Sequence, residues 1–181
     1  MPQSIHAIPV DIAEFVELVD YLSFGNPAQK DKELVRAEKI YDVNDQFVFG
    51  SISVSSDMNL YFKRIRSNFE RETARNFYEA FEVLDLLAFP NKKRRYQYQQ
   101  LFQRSGLDSG ITLLLPKEVE QCTVLLTSVL AEIKMTKFYN TINHAEDSLR
   151  NYEDFVSKVE FWRDTCLSTM YQKKGLFIYI L

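Results

Sequence analysis

The amino-acid sequence predicts an α+β fold in a single domain. A small mixed or antiparallel sheet includes the N-terminal and C-terminal strands, packed by about four to six helices. Three observations carry this. The chain closes on Leu176-Phe177-Ile178-Tyr179-Ile180-Leu181, an unbroken apolar run that suits a strand covered on both faces. That run needs strands beside it, and Ser4–Val10 and residues 111–115 have the composition to supply them. The rest of the chain alternates helical apolar stripes with breakers, and 181 residues with 46% apolar content can bury a sizeable core.

The first unit is a strand, Ser4–Val10, in which Pro9 favours an edge or a strand end. Asp11 then has the chemistry of an N-cap, and Ile12, Phe15, Val16, Val19 and Leu22 fall on one helical face. Gly25-Asn26-Pro27 breaks that helix. A more charged helix over 28–41 presents Leu34, Ala37, Ile40 and Tyr41 as a narrow stripe and is expected at the periphery. Residues 47–55 are rich in β-branched and aromatic types, so a strand or extended segment is expected, interrupted by Gly50.

From Asp57 to Phe89 the pattern turns helical, in two pieces or one bent piece. Leu60, Tyr61, Ile65 and Phe69 mark the first, and Phe77, Phe81, Leu84 and Leu87 the second, which reads as apolar on more than one face; Pro90 stops it. After a loop at 106–110, residues 111–115 form a short apolar strand and Pro116 takes the first turn of a helix, where its missing N–H costs nothing. Glu118 and Glu120 suit that N-terminus, and Val119, Cys122, Leu126, Val129, Leu130 and Ile133 follow helical spacing over 116–133. Residues 135–149 are mixed and polar, suggesting a short helix and a loop. In the last unit Tyr152, Phe155, Val156, Val159, Trp162, Cys166 and Met170 share a helical face. Lys173 and Lys174 favour its C-terminal end, and Gly175 is expected at the left-handed C′ position.

The composition excludes several function classes. Five glycines leave little material for phosphate-cradling loops. No Walker loop, dinucleotide glycine fingerprint, nucleophile elbow or His-Glu-x-x-His is present. Cys122 and Cys166 read as buried free thiols, and with His6 and His144 they show no metal-ligand spacing. No catalytic, cofactor-binding or metal-binding residue is therefore assigned, and no cofactor is expected. Asp11, Glu14, Glu17 and Asp20 recur at three-residue spacing, as a solvated helix face would. His6, on its strand, and His144, near Glu146 and Asp147, titrate in a useful range, but neither shows a partner nucleophile in the sequence. Residues 1–10 lack the basic start and apolar core of a signal peptide, and no stretch is long enough to span a bilayer, so cytoplasmic residence is the expectation.

One local bias stands out. Residues 92–104 hold five of the 22 basic residues and none of the 25 acidic ones. Lys92, Lys93, Arg94, Arg95 and Arg104, with Tyr96 and Tyr98, could pair with phosphates and stack on bases. The plainest reading is a solvated helix with charges near its own N-terminus, and the other is a contact patch for an acidic protein, where arginine and tyrosine are favoured anchors. The overall charge of −3 offers nothing to extend a positive track, which favours the protein partner and disfavours nucleic acid and anionic membrane.

Residues 110–119 (Gly-Ile-Thr-Leu-Leu-Leu-Pro-Lys-Glu-Val) and the closing helix and strand, Tyr152–Leu181, resemble the YfbM-like family of small bacterial α+β proteins. The resemblance covers the C-terminal two-fifths of the chain. It implies a compact α+β fold in the bacterial cytoplasm and brings no catalytic residues with it. Residues 42–105 lie outside the resemblance and read as a variable helical excursion. Together these features point to a non-enzymatic protein-binding module, an immunity-type protein that neutralises a toxin or effector by covering it. Nucleic-acid binding through 92–104, or an enzyme with an unfamiliar site, are the alternatives.

Overall fold

The computed structural model describes residues 4–17, 47–84, 112–136 and 152–180. Among these residues four strands form one antiparallel sheet: β1 (Ser4–Val10), β2 (Phe47–Ser51), β3 (Thr112–Leu114) and β4 (Gly175–Ile180), in the order β2-β1-β4-β3. The apolar C-terminal run thus lies between the two strands the sequence offered as its neighbours. Pro9 sits toward the end of β1, beyond the residues that pair with β2, which run from Ser4 to Ala7. A missing N–H there removes no bond to β2.

Five α-helical stretches accompany the sheet among the described residues: α1 (12–17), α2 (Ile52–Ile65), α3 (Arg71–Leu84), α4 (Pro116–Met135) and α5 (Tyr152–Tyr171). The pleat sends alternate residues to opposite faces, and each face carries a buried core. On one, Ile5, Ala7, Leu114, Leu176 and Ile178 join the main core beneath α2 to α5. On the other, Ile8, Val10, Leu113 and Phe177 form a second core with Phe15 of α1. Phe15 and Phe177 rings lie 4.7 Å apart. Asp11 caps α1 as expected, its Oδ1 accepting the N–H groups of Ala13 (3.0 Å) and Glu14 (3.1 Å).

The main core is aromatic. Phe62 stacks on Phe77 at 3.8 Å, and Phe155 approaches both. Val119, Cys122, Leu126, Val129, Leu130 and Ile133 of α4 are all buried, and so are both cysteines, which are free thiols. Glu118 closes the start of α4 by accepting the Leu115 N–H at 2.8 Å.

Four expectations need correction. Residues 47–55 are not one extended segment: the strand ends at Ser51, and Ile52 onward is helical. The β propensity of Ile52 and Val54 yields to packing, because Val54, Met58, Tyr61 and Phe62 recur at helical spacing and are buried on one face. Leu60, expected on that face, is 52% exposed. It sits one residue before Tyr61, a helical step of about 100°, and so turns outward. Helix α3 buries Thr73, Asn76, Phe77, Ala80, Phe81 and Leu84, a single stripe and not several faces. The helical stretch breaks at a 3₁₀ turn, Arg66–Asn68, which resolves the choice between two pieces and one bend in favour of two.

The fourth correction concerns the end of α5. The left-handed residue is Lys173, with φ 56°, and not Gly175. Lys174 N–H bonds the Thr169 carbonyl (3.3 Å) and Lys173 N–H the Met170 carbonyl (2.9 Å), the paired bonds of a Schellman cap with Lys173 at C′. Gly175 is already the first residue of β4. Its lack of a side chain serves packing: a Cβ there would meet Ile12 Cδ1 and lie 2.6 Å from the Leu114 carbonyl oxygen. The expected strand 111–115 is observed as Thr112–Leu114. The expected helix over 28–41, the basic segment, and the mixed stretch after residue 136 lie outside the described residues.

Candidate functional site

The second face of the sheet carries the polar cluster that packing and capping do not account for. Helix α1 sets Phe15 over Phe177, covering the half of this face that holds Ile8, Val10 and Leu113. Alternation along β1 puts His6 and Ser4 on the same face, one and two steps further toward the N-terminus. The register places His6 opposite Val48 of β2 and opposite Tyr179 of β4, so the three side chains form a row across the sheet.

The row has a defined geometry. His6 and Tyr179 rings are stacked, with centroids 5.3 Å apart and an interplanar angle of 22°, and Tyr179 stacks in turn on Phe177 at 5.2 Å. Ser4 Oγ and His6 Nε2 share a hydrogen bond of 2.6 Å. Burial lowers the His6 pKa below its ordinary 6.5, so the imidazole is neutral at physiological pH. A neutral ring with its proton on Nδ1 accepts at Nε2, and the serine hydroxyl then donates. Ser4, His6 and Tyr179 are half-buried, while Val48 is 54% exposed.

A β-bulge lies against this cluster. Ile5 pairs with Gly50 but His6 pairs with Val48, so Phe49 is the extra residue of β2. Gly50 has φ 118°, a conformation that side-chain-bearing residues rarely adopt. The neighbouring Val54 Cγ2 would stand 3.7 Å from an added Cβ, an ordinary contact, so torsion and not space demands glycine there. The bulge lets Phe49 turn into the core against Trp162, 4.9 Å away, while Val48 stays outward.

Other polar groupings have structural work. Glu132 of α4 accepts the Glu70 N–H at 2.9 Å with Oε1 and the Thr73 hydroxyl with Oε2, closing the start of α3 from another helix. Tyr152 donates to the Ile133 carbonyl at 2.5 Å. Burial, then Tyr61 and Glu132 nearby, pushes its hydroxyl well above the ordinary tyrosine value. Lys134 pairs with Glu160 between α4 and α5. Among the described residues no group of three or more His, Cys, Asp or Glu could hold a metal ion. No described helix is long and apolar enough to cross a membrane.

Of the residues singled out from the sequence, Lys92, Lys93, Arg94, Arg95, Tyr96, Tyr98 and Arg104 lie outside the described residues, as does His144. His6 is present and has the partner that the linear sequence did not advertise. Ser4, Val48 and Tyr179 carry no motif that marks them as site residues. The i, i+2 spacing of Ser4 and His6 in a strand is a usable signal, whereas the approach of Val48 and Tyr179 depends on strand order. Compared with protein-family models, curated proteins and solved structures, this chain matches none.

Proposed function

We propose that the protein is a protein-binding module of the immunity type, which meets a toxin or effector at the β2 corner of the sheet. One observation carries this: Val48 stands more than half exposed on an outer strand, in one row with the half-buried rings of His6 and Tyr179. An apolar side chain in water beside stacked aromatic rings gains from being covered, and tyrosine is a favoured anchor at interfaces. Strand β2 is the outer strand of the described sheet on that side, so a partner there can also engage backbone groups. The absence of recognisable catalytic motifs in the sequence and the acidic balance of −3 support a binding role.

The test is copurification with tagged bait from the native host under mild salt, comparing the wild type with Val48→Glu. A stoichiometric protein partner, lost or weakened in Val48→Glu, supports the proposal. Equal recovery with both baits would move the interface elsewhere, and no partner with either would remove the binding role. The alternative reading, nucleic-acid binding through residues 92–104, is distinguished by salt, because phosphate contacts weaken steeply as salt rises.

A further inference from the structure

We propose that Ser4 is a nucleophilic serine, activated by His6 as its base, and reactive toward acyl or phosphonyl electrophiles at the β2 corner of the sheet. This goes beyond the binding role and does not rest on it.

A serine hydroxyl is a weak nucleophile until a base within hydrogen-bond reach takes its proton as the new bond forms. Ser4 Oγ and His6 Nε2 stand 2.6 Å apart, within that reach. The base must be neutral at working pH, and burial keeps His6 so. The ring must also be held in one orientation. Tyr179 stacks on one side of it, and it sits on an antiparallel strand paired on both sides. From β4 the titratable group facing His6 is Tyr179, and from β2 the residue opposite is Val48, which carries no charge.

Ser4 and His6 are also within reach of a reagent. Both are half-buried and not sealed in the core, and the exposed Val48 marks the same side of the sheet as open to solvent. The bulge at Phe49 and Gly50 falls directly opposite Ile5 and His6, the kind of irregularity that re-aims backbone beside reactive groups. Elsewhere, Thr123, Thr127, Thr136 and Thr169 spend their hydroxyls on carbonyls one helical turn back. Ser4 instead bonds an imidazole.

In the reaction, Ser4 Oγ attacks the electrophilic carbon or phosphorus, forming the Oγ–C or Oγ–P bond, and its proton passes to His6 Nε2. The bond to the leaving group breaks with its electron pair, and His6 returns the proton to that group. The product is an ester of Ser4, and His6 ends neutral.

A fluorophosphonate probe tests this on the full-length protein. Intact-mass measurement is expected to show one adduct per chain, with loss of fluoride, and peptide mapping is expected to place it on Ser4. Ser4→Ala abolishes the adduct. His6→Gln, which can fill the same space without acting as a base, lowers the labelling rate about 100-fold. The wild-type rate rises with pH along a titration whose midpoint lies below pH 6.5, following the lowered His6 pKa, and far-ultraviolet circular dichroism confirms that each variant is folded. Absence of labelling, labelling at another serine, or a rate unchanged in folded His6→Gln would each overturn the proposal.

Discussion

Replacing Lys173, in the cap of α5, and Gly175, the first residue of β4, separates two roles for glycine that look alike in a sequence. Lys173 holds φ 56° at the C′ position, where a residue with a Cβ is disfavoured by about 1–2 kcal/mol. Lys173→Gly removes that strain, and the added freedom of the unfolded chain returns about 0.4–1 kcal/mol. The net expectation is a gain of about 0.5–1 kcal/mol. Gly175→Ala works in the opposite sense. Its new methyl would lie 2.6 Å from the Leu114 carbonyl oxygen and against Ile12, and the oxygen belongs to a strand paired with β4 and cannot swing aside. Overpacking of this kind costs about 1–3 kcal/mol, partly offset by the stiffer unfolded chain, for a net loss of about 1–2 kcal/mol. Urea denaturation reads both as shifts of the midpoint at constant slope. In a chain of this size, thermal midpoints would move by about 2–4 °C per kcal/mol. A stabilising or neutral Gly175→Ala together with a destabilising Lys173→Gly would refute the reasoning and restore glycine to the capping position.

Four buried or half-buried polar groups give further expected outcomes. Glu132→Ala leaves the Glu70 N–H and the Thr73 hydroxyl without their acceptor and is expected to lower stability by about 1–2 kcal/mol, the site being partly exposed. Glu132→Gln, which keeps one acceptor oxygen, should lose less in the same urea titration. Tyr61 and Tyr152 have raised pKa values, so above about pH 10 the unfolded chain releases protons that the folded protein retains and stability falls. Tyr152→Phe should flatten that alkaline decline by up to about 1.4 kcal/mol per pH unit, at a cost near neutrality of about 1 kcal/mol for the lost hydroxyl. His6 has the opposite sign: with its folded pKa below 6.5, its contribution is present above that pH and lost as pH falls. A comparison of wild type with His6→Gln between about pH 7 and pH 5 should show the wild type losing more stability on acidification.

What the sequence disclosed follows the range over which each signal acts. Helix α4 is readable nearly residue by residue, because Pro116, Glu118 and the stripe from Val119 to Ile133 are local features acting through one element. The terminal strand is readable for the same reason: an apolar run without alternation requires cover on both faces, and Leu176 and Phe177 enter different cores. The helix around Trp162 is its cover on one side. Sequence signals fail where a second element decides the outcome. Gly175 resembles a cap until β3 and Ile12 are placed beside it. Residues 52–55 have strand composition until Val54 is seen to share a face with Met58 and Tyr61. Glu132 gives no sign in the sequence that it closes a helix start 62 residues earlier.

The candidate site falls between these cases. Once Ser4–Val10 is read as a strand, its alternation alone puts Ser4 and His6 on one face at i, i+2 spacing, so the nucleophile missing beside His6 is two residues away. Familiar catalytic motifs place serine and histidine far apart in sequence, whereas a strand permits a much shorter connection. What alternation does not supply is the packing on either side: Tyr179 reaches His6 from the far end of the chain and Val48 from β2, through a register fixed by the sheet. The hydrogen-bonded pair is therefore a local property of one strand, while its orientation and its access to solvent belong to the assembled fold. That division gives the two halves different sensitivities. Tyr179→Ala should preserve the sheet and the Ser4 to His6 spacing while loosening the ring. Slower probe labelling of Ser4, without loss of the fold by circular dichroism, is the expected result, and an unchanged rate would mean that strand alternation alone positions the pair.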